Sequence, residues 1–261
     1  MPEGHTVHRT AKRLQKELGG SQLSISSPQG RFTDAVLIDG QELTKAEAWG
    51  KQMFLHFPAG VLRIHLGIYG KWTFQAFDPA PAEPRGAVRL RLIGQGFVAD
   101  LRGPTACELI DSQAVEHVLQ RLGPDPLRNN KGDFEQFVAN VLKSRRPIGQ
   151  LLMDQSVLAG VGNVYRAEIL FRNQQSPFTP GTQMQLETLR GIWDDCVQLM
   201  PIGVRTGLML TREGYLKGRP KLANRYYVYK REGLPCRECG SNIAIDLMAT
   251  RKLYWCPSCQ K

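Results

Sequence analysis

Two stretches, Pro235-Cys236-Arg237-Glu238-Cys239 and Cys256-Pro257-Ser258-Cys259, decide the fold of the last part of this chain. Each is a Cys-x2-Cys pair, and sixteen residues separate the pairs, a spacing typical of a four-thiolate zinc site. Disulfides and an iron-sulfur cluster are the alternatives. Because four thiolates leave no open coordination position, we expect one structural Zn²⁺ rather than a catalytic one.

The residues between the two cysteine pairs predict a hairpin that carries Arg251 and Lys252. The other two cysteines, Cys107 and Cys196, lie outside this spacing pattern. We expect them to be small buried residues rather than functional thiols.

The composition points to a polyanionic partner. The chain has 261 residues, enough for two domains with a small appendage, and 34 Lys and Arg against 24 Asp and Glu give it a net charge of +10. Nucleic acid is the simplest partner for a protein with this net positive charge. An anionic membrane surface is the weaker alternative, because the sequence shows no basic amphipathic helix and no apolar run long enough to span a membrane. The polar start lacks the apolar core of a signal peptide, which predicts a cytoplasmic protein.

Upstream of the cysteines the pattern is helical. The stretch Gly123-Pro124-Asp125-Pro126 predicts a domain boundary, and helices are predicted over 134–142, 148–153, 163–171 and 184–200. Gly160 and Gly162 let the backbone approach a ligand, and Asn163 opens a helix whose N–H groups attract anions such as a DNA phosphate. The alternative is a tight turn between helices with Asn163 as its cap.

The first half of the chain predicts a β-rich domain behind one helix. Apolar residues recur at helical spacing from Val7 to Leu18, and short β-type runs follow up to Leu109. The runs are predicted at 35–38, 53–57, 61–65, 71–77, 88–93 and 97–101. Their short connections favour an antiparallel sandwich or barrel. Lys51 is placed at a strand mouth, where the alternative is an ordinary surface lysine.

The stretch His65-Leu66-Gly67-Ile68-Tyr69-Gly70 has two interpretations. Its glycines could expose Ile68 and Tyr69 as a wedge that enters between DNA bases. Otherwise the stretch is a bulged strand whose Ile68 and Tyr69 are core residues.

The opening residues Met1-Pro2-Glu3-Gly4-His5-Thr6 suggest a nucleophile. If Met1 is removed, Pro2 carries a secondary α-amine, and α-amino groups titrate near ~7.7 to 8.0, low enough to attack a carbonyl or hemiacetal-like carbon as the free base. Glu3 could then transfer protons. The alternative is that Pro2-Glu3-Gly4 simply leads into a helix.

Taken together, these features resemble the formamidopyrimidine-DNA glycosylase/endonuclease VIII family over essentially the whole chain, most closely its actinobacterial endonuclease VIII-like branch. The resemblance rests on Met1 to Thr6, Lys51, the helix-two-turn-helix of 151–171, Val228-Tyr229 and the stretch 254–260. The resemblance implies an α+β fold with three parts: an N-terminal antiparallel β-sandwich over 1–122, a helix-two-turn-helix domain over 132–224 after a linker of 123–131, and a zinc-finger β-hairpin over 225–261.

The resemblance also implies base excision on a flipped nucleotide followed by β,δ-elimination. The catalytic residues would be Pro2, Glu3 and Lys51. The residues that bind DNA phosphates would be Lys51, Asn163 and Arg251. Arg251 lies five residues before Cys256, where the family has its finger arginine. The expected partner is damaged DNA, bound by a monomer associated with the nucleoid.

Two departures from the family bear on the substrate. Thr6 stands where many relatives carry a second glutamate, and the Arg-Arg-Phe loop of formamidopyrimidine-DNA glycosylases is replaced by Leu101-Arg102-Gly103-Pro104-Thr105. Filling the void left by the flipped base would fall to Ile68 and Tyr69, which favours oxidised pyrimidines. Single-stranded or bubble DNA could also be accepted.

Two rival functions stay open at the level of sequence. The chain could be a non-catalytic, zinc-containing DNA- or damage-binding protein on the same scaffold. It could also use Lys51, with its amine pKa lowered by burial, as the nucleophile in place of Pro2.

Overall fold

The computed structural model describes residues 2–261, so the removal of Met1, on which the proposed role of Pro2 depends, lies outside the described residues. The chain forms two compact units, Met1–Gln120 and Arg121–Lys261. We describe each unit by itself. Among the described residues, no helix combines the length and the apolar character that crossing a membrane requires.

The first unit is a β-sandwich with one long helix. Its helices are α1 (Gly4–Leu18), α2 (Ala35–Ile38) and α3 (Ser112–Gln120). Its strands are β1 (Ser24–Ser26), β2 (Lys45–Trp49), β3 (Gln52–Phe57), β4 (Gly60–His65), β5 (Lys71–Ala76), β6 (Val88–Gly94), β7 (Phe97–Arg102) and β8 (Ala106–Ile110). The strands form two antiparallel sheets, in the orders β1-β6-β7-β5 and β2-β3-β4-β8. The predicted antiparallel sandwich is thereby confirmed.

The core of the first unit lies between the sheets and under α1. Alternate residues of the strands face inward, as a half-buried sheet requires, and α1 adds Leu14 and Leu18, which are both fully buried. Each buried leucine contributes roughly 2 kcal/mol through the apolar surface it removes from water. Because α1 packs on β2 and β3, the residues just before it are held at a fixed place on the sandwich.

One predicted strand of this unit is wrong. Residues 35–38 form α2, one helical turn, rather than a β-type run. Ala35 and Ile38 are buried while Val36 and Leu37 are exposed, an i, i+3 pattern that suits a helix. Four consecutive apolar residues do not distinguish the two structures by themselves.

The second unit is helical and ends in a hairpin. Its helices are α4 (Asp133–Leu142), α5 (Ile148–Leu151), α6 (Asn163–Arg172) and α7 (Leu186–Thr206), and its strands are β9 (Ala244–Met248) and β10 (Arg251–Trp255). The helices enclose an apolar core around Phe137, Tyr165 and Trp193. A smaller cluster joins Phe171 on α6 to Tyr254 on β10. The hairpin is therefore packed against α6.

Helix α7 is longer than predicted. The sequence predicts its end at Met200, yet the helix continues through Pro201 to Thr206 and is capped by Gly207, whose φ is 75°. A proline inside a helix costs about 3 kcal/mol. The last turn compensates by packing, since Ile202 and Val204 are buried.

Candidate functional site

Pro2 opens onto a cavity of the first unit. The cavity has a volume of about 410 Å³, and Thr6 and Thr10 of α1 line it beside Pro2. The loop 66–70 and the start of β5 form the remaining wall. A pocket of this size suits a small molecular fragment such as one nucleotide. The predicted nucleophile thus lies at the wall of a cavity.

Glu3 is held next to Pro2 in a fully buried position. It occupies the N-cap position of α1 with extended backbone, and its carbonyl accepts hydrogen bonds from the N–H groups of Thr6 at 2.9 Å and Val7 at 3.3 Å. The start of α1 therefore fixes the backbone of Glu3, and its carboxyl group is shielded from bulk water.

His5 and Thr6 follow on the same helical turn. Burial and the neighbouring charge of His8 lower the pKa of His5 to about 4, so the imidazole is neutral at pH 7. His5 Nε2 lies 3.2 Å from the Thr6 hydroxyl, and the Thr10 hydroxyl donates to the Thr6 carbonyl at 2.8 Å. At position 6 this chain places a hydroxyl group and no carboxylate.

The loop 66–70 is exposed, and the interpretation of Ile68 and Tyr69 as core residues is wrong. Ile68 is 45% exposed and Tyr69 is 84% exposed. Gly67 has a φ of 63° and packs against Thr105. A Cβ atom added to Gly67 would lie 1.9 Å from the hydroxyl oxygen of Thr105. The loop is thus supported from behind and presents two apolar side chains to solvent, a geometry that fits a wedge.

The connection between β7 and β8 is short. It contains only Gly103, Pro104 and Thr105, and the Thr105 N–H donates to the His65 carbonyl at 2.8 Å. Gly103 lies against the backbone of Tyr69. This connection supports the loop 66–70 and offers no long side chains of its own for insertion into DNA.

Lys51 lies at the mouth of β3, as its position in the sequence predicts. Gly50 and Lys51 form the two-residue turn between β2 and β3, in which Gly50 has a φ of 56° and Trp49 pairs with Gln52. The pKa of His65 on the neighbouring strand is lowered by burial and then by the positive charges of Arg63 and Lys51. Lys51 is only half-exposed, and its charge reaches the strand that leads into the loop 66–70.

In the second unit, Asn163 begins α6, but Gly162 is the N-cap residue, so the interpretation of Asn163 as a cap is wrong. Its side chain is buried and bonds to the hairpin: Nδ2 donates to the Lys252 carbonyl at 2.9 Å, and Oδ1 accepts from Arg166. The N-terminus of α6 is therefore fixed to β10, one residue from Arg251.

Arg166 is a key residue of this region that the sequence analysis missed. It is fully buried, and besides Asn163 its guanidinium reaches the carbonyls of Met248 at 3.2 Å and Lys252 at 3.3 Å. The only available signal was an arginine within a helix whose neighbours are apolar. Arg166 positions the hairpin turn relative to α6.

Arg251 is the first residue of β10, directly after the hairpin turn. Ala249 and Thr250 form this turn with φ values of 53° and 60°. The Arg251 guanidinium makes a local hydrogen bond to the Thr250 carbonyl at 3.2 Å. The turn therefore presents a cation at the tip of the hairpin, as predicted for the residues between the cysteine pairs.

The four cysteines of the spacing pattern come together. The sulfur atoms of Cys236, Cys239, Cys256 and Cys259 all lie within 4.8 Å of one another, with Cys239 and Cys256 at 3.5 Å. Disulfides require about 2.05 Å, so the pairs are not bonded, whereas four sulfurs about 2.3 Å from one tetrahedral ion would be spaced like these. Hydrogen bonds from Ser241 lower the pKa of Cys239 to about 6, whereas burial raises the pKa values of Cys256 and Cys259, so the sulfur geometry rather than thiol acidity identifies the site. The four cysteines can hold a metal ion.

Comparisons with known proteins follow the same division of the chain. Residues 1–107 match the family model of the formamidopyrimidine-DNA glycosylase N-terminal domain, and residues 122–213 match that of its H2TH domain. Endonuclease 8 1 of Mycobacterium tuberculosis is 47% identical over the whole of both chains. Formamidopyrimidine-DNA glycosylase of Thermus thermophilus is 30% identical over the whole of this chain and 98% of its own.

Solved structures show the same fold. The crystal structure of the MutM (Fpg) protein from Thermus thermophilus superimposes with a TM-score of 0.79 at 29% identity, covering 99% of this chain and 98% of that one. A Lactococcus lactis Fpg in complex with DNA containing N7-benzyl-Fapy-dG has a TM-score of 0.82 at 23% identity over the full length of both chains, which bears on the fold alone.

The fold and the matched domains define an enzyme of DNA repair, a glycosylase that acts on damaged bases. The chain belongs to the formamidopyrimidine-DNA glycosylase/endonuclease VIII family, whose members are DNA glycosylases with AP lyase activity.

Proposed function

We propose that this enzyme excises oxidised pyrimidines and cleaves the strand through a Schiff base on Pro2. The observation that carries the proposal is the position of Pro2 at the wall of a cavity, with the buried Glu3 beside it. A cavity of about 410 Å³ can take the sugar of a nucleotide that has left the base stack.

The chemistry starts at the Pro2 nitrogen after removal of Met1. The amine lone pair attacks C1′ of the deoxyribose, the base leaves with the electrons of the glycosidic bond, and the proton of the Pro2 nitrogen passes to the departing base. The sugar ring opens, Glu3 transfers a proton to its ring oxygen, and an iminium remains on Pro2. Loss of a C2′ proton then expels the 3′ phosphate, and a second elimination expels the 5′ phosphate, which leaves a one-nucleotide gap.

The preference for pyrimidines rests on the loop 66–70. Ile68 and Tyr69 are the exposed apolar side chains beside the cavity, and the three-residue connection between β7 and β8 supplies none. A wedge of two side chains fills a limited void. Single-stranded or bubble DNA would also be a substrate, because a small wedge matters less where there is no partner strand to hold.

Lys51, Asn163 and Arg251 are proposed to bind DNA phosphates. Lys51 offers a cation in the first unit, and Arg251 offers one at the hairpin tip of the second unit. Since the Asn163 side chain is bonded to β10, its contribution would come chiefly from the backbone at the start of α6. Lys51 as the nucleophile is the competing assignment.

The metal is proposed to be zinc, held by Cys236, Cys239, Cys256 and Cys259 and purely structural. When bound, zinc would tie the two cysteine pairs together at the base of the hairpin. We further propose a monomer that works in the cytoplasm on nucleoid DNA. The proposed domains are 1–122, 132–224 and 225–261, with a linker of 123–131.

The experiment is a strand-cleavage assay on duplexes that contain one oxidised pyrimidine or one oxidised guanine. We expect faster excision of the pyrimidine and a product with phosphates at both ends of the gap. Pro2→Gly should abolish cleavage while DNA binding persists. Cleavage at the parent rate by this variant would transfer the role to Lys51, and binding without cleavage by the parent would indicate a non-catalytic DNA-binding protein.

A further inference from the structure

Lys71 shares the cavity of Pro2. It is the first residue of β5, and it follows the loop 66–70 directly. Among the nine described residues that line the cavity, Lys71 is the only one with a charged side chain. A sugar bound at Pro2 would therefore meet one cation on the wall formed by the first unit.

The loop fixes the position of Lys71 relative to the wedge. The Gly70 N–H donates to the Leu66 carbonyl at 2.9 Å, which closes the loop into a tight turn. A Cβ on Gly70 would come within 2.3 Å of that carbonyl oxygen, so no other residue fits there. Lys71 consequently begins its strand at a set distance from Ile68 and Tyr69.

Lys71 lies opposite another cation, not a carboxylate, across the sheet. Its direct partner across the sheet is Arg102, and like charges in that relation are destabilising. Arg102 is held elsewhere, since its guanidinium donates to the Thr73 hydroxyl at 2.7 Å and to Asp100 at 3.1 Å. Lys71 is exposed, and its ammonium forms no ion pair with any carboxylate in residues 2–261.

We propose that Lys71 binds a backbone phosphate of the nucleotide whose sugar lies at Pro2. This inference rests on the proposed function, because a deoxyribose at Pro2 brings its own 3′ and 5′ phosphates to the walls of the cavity. When the C2′ proton is lost, a C2′=C3′ double bond forms and the C3′–O electron pair leaves with the phosphate. A Lys71 ammonium bound to the 3′ phosphate would stabilise the charge of that leaving group.

The test measures binding to duplexes carrying a tetrahydrofuran abasic analogue, which has no C1′ leaving group and keeps binding separate from chemistry. Lys71→Met should weaken the Kd for this DNA about tenfold, the loss of one charge-assisted contact, and should lower the salt slope by about one ion. Lys71→Arg should keep most of the affinity. Lys16→Met, which removes an exposed lysine from the last turn of α1, is the matched control and should leave the Kd unchanged.

The effect should be larger for the abasic analogue than for undamaged duplex. Equal losses on the two DNAs, or a Lys71→Met variant with the parent Kd and salt slope, would overturn the assignment. Because this binding assay needs no Schiff base, it tests the phosphate contact of Lys71 independently of the role of Pro2 as the nucleophile. Circular dichroism confirms that each variant is folded.

Discussion

Replacing Glu168 by glutamine tests how the second unit holds the segment that leads to the cysteines. Glu168 is fully buried on α6, and its carboxylate accepts four hydrogen bonds. One oxygen accepts from the Thr211 hydroxyl at 2.6 Å and the Tyr227 N–H at 2.7 Å. The other accepts from the N–H groups of Val228 and Tyr229, both at 2.8 Å. One carboxylate thus fixes three successive backbone amides.

Glutamine has the same shape but only one acceptor oxygen. With that oxygen facing Val228 and Tyr229, the new NH₂ faces Tyr227 and Thr211. Thr211 can accept from it, because its hydroxyl also lies 2.9 Å from the Arg225 carbonyl and can donate there. The Tyr227 N–H alone loses its acceptor, at a cost of about 1–3 kcal/mol.

Removing the charge works in the opposite direction. Burial raises the pKa of the Glu168 carboxyl, and the four hydrogen bonds oppose that rise, so glutamine relieves a desolvation cost. Against this gain, the two remaining hydrogen bonds become weaker because their acceptor is no longer charged. We expect a net loss of about 2 kcal/mol in the free energy of unfolding.

The assay is urea denaturation at pH 7 followed by circular dichroism, together with hydrogen exchange of the amides in 225–231. Glu168→Gln should lower the unfolding free energy and speed exchange in that segment. Glu187→Gln, at an exposed position in the first turn of α7, is the matched control and should change the free energy by less than about 0.5 kcal/mol. Parent-like stability and parent-like exchange in Glu168→Gln would refute the reasoning.

Three further predictions concern separate parts of the chain. Arg251→Ala should weaken DNA binding and lower its salt slope by about one ion, and an unchanged slope would remove Arg251 from the phosphate contacts. Cys239→Ser should lose the metal and disorder the hairpin while the first unit stays folded, so a stoichiometric metal content in the variant would contradict the ligand set. The pKa of His5 is lowered from 6.5 to about 4, so neutral His5 contributes stability above pH 6.5 that is lost as the pH falls toward 4. Between pH 7 and pH 4 the parent should lose about 3 kcal/mol more unfolding free energy than His5→Gln, and identical pH profiles would exclude this role.

The sequence predicts features whose signals are local. The spacing of Val7, Leu14 and Leu18 predicts α1, and the two Cys-x2-Cys pairs predict the sulfur cluster, because each pattern lies within one short stretch. The exposed turn around Tyr69 is also suggested by its flanking glycines, although a buried bulge fits the same letters. Only the fold decides between those two.

Features that depend on distant partners are invisible in the sequence. Asn163 resembles a cap, and its true partners, Arg166 and the Lys252 carbonyl, come from the helix and from a hairpin almost ninety residues away. The burial of Glu168 is likewise explained by the amides of 227–229 and the Thr211 hydroxyl, which are distant in the sequence. Helix α7 continues past Pro201 because tertiary packing outweighs the local cost of proline.

The measurement that tests the central claim most directly is borohydride trapping on an oligonucleotide with one abasic site, combined with the intact mass of the protein. We predict a covalent adduct that forms only with protein lacking Met1 and that peptide mapping places on Pro2. An adduct on Lys51, or no adduct from Met1-free protein that still binds the DNA, would contradict Pro2 as the nucleophile.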